Sequence, residues 1–218
     1  STTSGVTNGS TTNDTSIALT FTSSEATTNF ASGDITVNTG AISSFSQTSS
    51  TVYTATYIPA SAGTYTFDVA SSAFTDATGN GNSAATQFVW TYDNVGPTMA
   101  ITSTTSGVTN GSTTNDTSIA LTFTSSEATT NFASGDITVN TGAISSFSQT
   151  SSTVYTATYI PASAGTYTFD VASSAFTDAT GNGNSAATQF VWTYDNVGPT
   201  MTIASTTSGV TNGSTTND

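Results

Sequence analysis

The side chains able to do chemistry in this chain are carboxylates, amides and hydroxyls, because its 218 residues include no Lys, Arg, His or Cys. Nucleophilic or acid–base catalysis by His or Cys is therefore excluded, as are thiolate zinc sites and disulfides. The remaining set suits a hard cation: calcium takes six to eight oxygen ligands from carboxylates, amides and carbonyls. The densest local segment is Asp76-Ala77-Thr78-Gly79-Asn80-Gly81-Asn82. Aligned to a calcium-binding EF-hand loop it has Asp, Asn and Gly at positions 1, 5 and 6. Thr78 falls at position 3 and Gln87 stands where a bidentate Glu is required, so the loop alone is incomplete. A site needs Glu25, Asp34 or Asp93, or a carbonyl of a following unit, to fold alongside. The candidate ligands are then Glu25, Asp34, Asp76, Asn80, Asn82 and Asp93, with Glu127, Asp136, Asp178, Asn182, Asn184 and Asp195 as their counterparts further on. The competing reading is that Gly and Asn here only supply turn conformations.

Covalent sugar is the second chemistry. Asn8, Asn13, Asn110, Asn115 and Asn212 each begin an Asn-x-Ser/Thr acceptor triplet. Residues 1–102 also hold 16 Ser and 24 Thr, a dense supply of hydroxyls for O-linked sugar. Against this, Asn-Gly is an ordinary turn dipeptide and Thr an ordinary exposed strand residue. The chain is expected to carry glycans. An enzyme is not expected: a carboxylate pair drawn from Glu25, Asp34, Asp68 and Asp76 would need a cleft, and a small sandwich offers little. A formal charge of −13 argues against nucleic acid or an anionic membrane face as partner.

These residues sit on a repeated unit. Ser1–Val6 recurs at Ser103–Val108 and Ser205–Val210, a period of 102 residues. Residues 1–102 and 103–204 differ only at Ala100 against Thr202 and Thr102 against Ala204. Turn formers at Asp93–Pro97 and Asp195–Pro199 mark the boundaries. The expected organisation is a first unit at 1–96 lacking its opening strand, a second at 97–198, and the start of a third at 199–218. With no Met at its start, no signal-peptide core and no apolar run long enough to span a membrane, the chain reads as a piece of a longer array.

Within a unit, apolar residues alternate with Thr and Ser. Ile17, Leu19 and Phe21 share one face, as do Ile35 and Val37; Tyr53, Ala55 and Tyr57; Tyr65, Phe67 and Val69; Phe88, Trp90 and Tyr92. Met99 with Ile101, and a segment at Ile42–Phe45, complete the pattern. Period-two alternation without helical periodicity predicts an all-β fold: tandem immunoglobulin-like antiparallel β-sandwiches of about seven strands each.

The unit resembles the bacterial immunoglobulin-like repeats strung in tandem in large surface adhesins and biofilm fibres. The resemblance rests on Ser24-Glu25-Ala26-Thr27, Gly33-Asp34-Ile35-Thr36-Val37, Tyr53-Thr54-Ala55, Phe74–Asn82 and Thr91-Tyr92-Asp93 leading to Gly96-Pro97-Thr98. It implies an extracellular, cell-surface stalk, with calcium at module junctions in some relatives. The absence of Lys and Arg departs from the usual composition. The expected partners are adjacent copies of the unit, joined covalently or through a strand donated from Pro199–Ile203 into the incomplete first unit. The alternative function is an adhesin region recognising surface glycans, or ice through Thr-x-Thr steps such as Thr20-Phe21-Thr22. Twisted sheets and the lack of a short regular period speak against ice.

Overall fold

Buried and exposed positions alternate along the long strands because each strand covers a core with one face only. In β5 (Val52–Tyr57), Tyr53, Ala55 and Tyr57 are buried while Thr54 and Thr56 are not; β6 (Gly63–Val69) buries Tyr65, Phe67 and Val69. The computed structural model describes residues 1–215; the last three positions of the segment expected to begin a third unit lie outside the described residues.

In module 1 one sheet has the order β1 (Ser10–Thr12), β7 (Phe88–Tyr92), β6, β3 (Ile35–Val37), and the other is β2 (Ile17–Thr22), β5, β4 (Ser43–Gln47). Module 2 repeats the first sheet as β9 (Ser112–Thr114), β15 (Phe190–Tyr194), β14 (Gly165–Val171), β11 (Ile137–Val139). Its second sheet has four strands: β8 (Met99–Ser103), β10 (Ile119–Ser125), β13 (Val154–Tyr159) and β12 (Ser145–Gln149). The extra strand is the opening segment that the sequence assigns to module 2 and withholds from module 1.

Composition hides one further strand. β1 and β9 are Ser-Thr-Thr and carry no apolar signal, yet each runs parallel to the Trp strand, β1 on β7 and β9 on β15. Thr12 Oγ1 accepts a hydrogen bond from the indole N–H of buried Trp90 at 3.0 Å, and Thr114 does the same for Trp192. A buried indole donor needs such a partner, so these threonines hold the strand in place. The other pairings are antiparallel.

Aromatic side chains fill the space between the sheets. Phe132 meets Phe123, Phe147, Tyr155 and Phe176 at ring separations of 5.0–5.9 Å, largely edge to face, the favoured arrangement for aromatic pairs. Three core tyrosines of module 1 also find acceptors: Tyr53, Tyr57 and Tyr65 donate to the carbonyls of Thr27, Thr39 and Ser61. Module 2 forms one core running from Met99 to Tyr194, whereas the core of module 1 divides into two clusters. Phe123, Phe176 and Phe190 are buried; their counterparts Phe21, Phe74 and Phe88 are only half-buried.

Candidate metal centre

Three of the candidate ligands come together at one place, between the modules. Asp93 follows the last strand of module 1, Glu127 follows β10 of module 2, and Asp178 lies in the loop after β14. One carboxylate oxygen from each lies within 4.8 Å of the others, and this is the one such cluster among the described residues. An open cavity of about 420 Å³ surrounds it, bounded by Thr11 and Asp93 on one side and by Glu127, Asp178 and Thr180 on the other.

The loop sequence fixes Asp178 before any ion is considered. Its Oδ1 accepts from the N–H and hydroxyl of Thr180 and from the N–H of Asn182, at 2.8–2.9 Å, and its Oδ2 accepts from the Asn182 amide at 3.0 Å. Only 8% of the residue is exposed. Burial disfavours the charge, but the Asn182 and Thr180 hydrogen bonds outweigh it and hold the carboxyl below the usual range. Glu127 is pushed the other way, by burial first and then by the charges of Asp93 and Asp178. Two such charges about 4.8 Å apart repel by about 3.5 kcal/mol at an effective dielectric of about 20. No cationic side chain exists anywhere in the sequence to relieve that repulsion.

The donor set fits calcium. Three oxygens spread evenly around one calcium at about 2.3–2.6 Å lie about 4.0–4.5 Å apart, so carboxylates within 4.8 Å of one another need draw in by only a few tenths of an ångström to share one ion. Magnesium, with bonds of about 2.0–2.1 Å, would require them to draw closer. Three side-chain ligands leave the rest of the shell to water or carbonyls.

Backbone contacts hold the linker over the same spot. The Asn182 amide donates to the carbonyl of Asp93 at 3.0 Å, Ser185 N–H to Pro97, and Thr98 exchanges hydrogen bonds with Ser126 at 2.9 Å. Gly96 packs so tightly that a Cβ there would lie 1.9 Å from the carbonyl oxygen of Gly183. Asn182 thus serves as a clamp as well as a brace for Asp178, a role that turn chemistry alone does not reveal.

Other candidates stand elsewhere. Asp34 and Asp136 accept the N–H of Ala31 and Ala133, three residues earlier, closing their own turns. The amides of Asn82 and Asn184 are spent within their loops, on Phe74, Ala70 and Ser83 and on Phe176, Ala172 and Ser185. Asp76 repeats the brace of Asp178, and hydrogen bonds led by the Asn80 side chain hold its carboxyl down to about 2. Neither Asp76 with Glu25 nor Asp195 belongs to a three-carboxylate cluster among the described residues. The acceptor asparagines Asn8, Asn13, Asn110, Asn115 and Asn212 are all exposed. Asn8 and Asn110 nevertheless act as strand partners, accepting from Val89 and Val191 and donating to Gln87 and Gln189.

Two sandwiches in tandem with this loop and linker define an immunoglobulin-like array, and the chain belongs to the bacterial Ig-like domain family, whose model matches residues 1–91 and 93–193. No curated protein matches the sequence. Among solved structures the chain is similar to InvD of Yersinia pseudotuberculosis, with 17% identity and a TM-score of 0.37, covering 87% of this chain and 57% of that one. It is also similar to SGBP-B of the Bacteroides ovatus mixed-linkage glucan utilization locus, solved with a mixed-linkage heptasaccharide, at 19% identity and a TM-score of 0.26 over 85% of this chain and 43% of that one. A third is an endo-fucoidan hydrolase of glycoside hydrolase family 107, at 14% identity and a TM-score of 0.27 over 87% and 32%. The chain therefore spans from about a third to just over half the length of these structures. At such scores no ligand or partner passes from them to this chain. Among the described residues no helix is long and apolar enough to cross a membrane.

Proposed function

We propose that the chain is a structural segment of an extracellular, cell-surface stalk or fibre, in which immunoglobulin-like modules stand end to end and calcium stiffens the joints. The observation that carries this reading is the convergence of Asp93 from one module with Glu127 and Asp178 from the next. A calcium ion there would offset two of three negative charges that no cationic side chain of this sequence can balance, and would tie two modules through Asp93 and Asp178, whose carboxylates already accept hydrogen bonds. Neighbouring copies of the module are its partners. The reading assigns the chain no catalytic step: Asp34 closes its own turn, and Asp68 accepts both its hydrogen bonds from Gln87.

Calorimetric titration and small-angle scattering test the joint. Calcium should bind with one site per junction, and a chelator should broaden the distribution of inter-module distances. No binding heat together with an unchanged scattering profile would reject the ion. Glycans on Asn13 and Asn115, or on the Thr-rich outer faces, complete the proposal; intact mass of material from its native source should exceed the polypeptide mass. The alternative, recognition of surface glycans or ice, would be supported by glycan-array binding or by inhibition of ice recrystallisation with the two-module chain.

A further inference from the structure

Asn182 and Gly183 form an Asn-Gly step at the joint between the modules. In such a step the glycine backbone nitrogen can attack the carbonyl carbon of the asparagine side chain, since no Cβ stands in the way and the glycine backbone turns freely. Gly183 is equipped for that attack. Its bridge to Thr177 is made by the neighbouring residues, Asp178 N–H to the Asn182 carbonyl and Asn184 N–H to the Phe176 carbonyl. The Gly183 N–H therefore finds no acceptor among the described residues, and the residue is exposed to water.

The closed joint holds the reaction off. Asn182 Nδ2 donates across it to the carbonyls of Asp93 at 3.0 Å and Val95 at 3.4 Å, and within its own loop to Asp178 Oδ2 at 3.0 Å and Thr180 Oγ1 at 2.8 Å. Its Oδ1 accepts from the Asn13 amide of module 1 at 3.5 Å. To react, the side chain must leave these partners and swing onto the Gly183 nitrogen. Gly96, packed against the Gly183 carbonyl oxygen, also keeps that peptide from turning.

We infer that Asn182 is a self-modification site, a deamidating residue gated by the closed joint. When the modules part, the Gly183 nitrogen bonds to Asn182 Cγ, the Cγ–Nδ2 bond breaks, and ammonia leaves with the proton that Gly183 gives up. Water then opens the succinimide. Cleavage of the new Cγ–N bond leaves aspartate, and cleavage at the original backbone carbonyl leaves isoaspartate. Either product puts a carboxylate where the amide had donated to the Asp93 and Val95 carbonyls and the Asp178 carboxylate, so acceptors face acceptors. No cationic side chain exists in the sequence to take up the new charge. A joint that has opened and reacted cannot close on the same hydrogen bonds, and so keeps a chemical record of having opened. The gate is made of hydrogen bonds and packing, and needs no ion.

The test is peptide mapping by mass spectrometry after incubating the 218-residue chain at mildly alkaline pH in excess chelator, with a synthetic peptide of residues 176–186 as the unrestrained reference. Asn182 of the native chain should deamidate at least about tenfold more slowly than the peptide, because only the opened joint reacts. Gly96→Ala, whose methyl would meet the Gly183 carbonyl oxygen, should raise the native rate about tenfold. Ser126→Ala, which removes only the acceptor of the Thr98 N–H, should raise it about fivefold. Asn182→Asp stands for the product, and in small-angle scattering it should broaden the inter-module distances beyond those of the native chain under the same conditions. Native deamidation at the peptide's rate, or a rate that neither joint substitution raises, would overturn the inference; so would an Asn182→Asp chain with the native scattering profile. Calcium binding is read in none of these arms, so failure of the gate and failure of the ion are separate results.

Discussion

The two modules have almost the same sequence and different surroundings, which makes each the control for the other. Phe123 is buried and Phe21 is half-buried, although the same residues flank them, because Met99 and Ile101 cover one and nothing in the described chain covers the other. Asp178 is buried beside two further carboxylates while Asp76, with the same loop hydrogen bonds, has neither. Gly96 touches Gly183, while its counterpart Gly198 has nothing near its would-be Cβ. The lesson is that a module of this array is finished by its predecessor, which supplies a strand and a carboxylate.

The largest effect should come from that strand. Burying Met99 and Ile101 stabilises module 2 by about 1.5–3 kcal/mol each, before the three better-covered phenylalanines are added. Calorimetry should therefore show two transitions, with module 1 melting first. Met99→Ala/Ile101→Ala, at about 2–5 kcal/mol for each truncation, should bring the transitions together. A single transition in the native chain, unaffected by the double variant, would break the comparison.

Alkaline titration probes what the modules share. Tyr57 and Tyr159 are pushed up to about 12, first by burial and then by the neighbouring Tyr65 and Tyr167. Because the folded value exceeds the ordinary 10.0, their contribution is complete below pH 10 and is lost as pH rises through 12. Two pKa units correspond to about 2–3 kcal/mol per module. Both transitions should fall in parallel over that window, and Tyr57→Phe should flatten the response of the lower one alone.

The junction should respond to smaller changes. Gly96→Ala should lower the upper transition or loosen the joint in scattering, by about 1–3 kcal/mol as an overpacked contact, whereas Gly198→Ala should do nothing in the monomer. Glu127→Gln should weaken calcium at least tenfold, about 1.4 kcal/mol, and Asp195→Asn should leave monomer binding unchanged. Equal effects of the paired substitutions would show that the two ends are not distinguished as described.

Much of the fold was legible because burial in a sandwich follows a period of two: Tyr53, Ala55 and Tyr57 are placed inside by alternation alone. β1 was not legible, since Ser10, Thr11 and Thr12 bury little and owe their strand to an indole donor 78 residues away. The unpaired need of Trp90 was the signal that could have found it. At the site, the carboxylates could be named as candidates, but their selection could not. Asp34 and Asp136 have the right chemistry and point into their own turns.

Local patterning, then, determined the sandwich, its turns and the Asp-x-Thr-x-Asn brace in every copy, since those depend on neighbours in sequence or on a repeated inward face. Tertiary structure decided which carboxylates meet. A three-carboxylate cluster needs side chains from two modules, and the Met-x-Ile segment becomes a strand only where a sheet edge pairs with it.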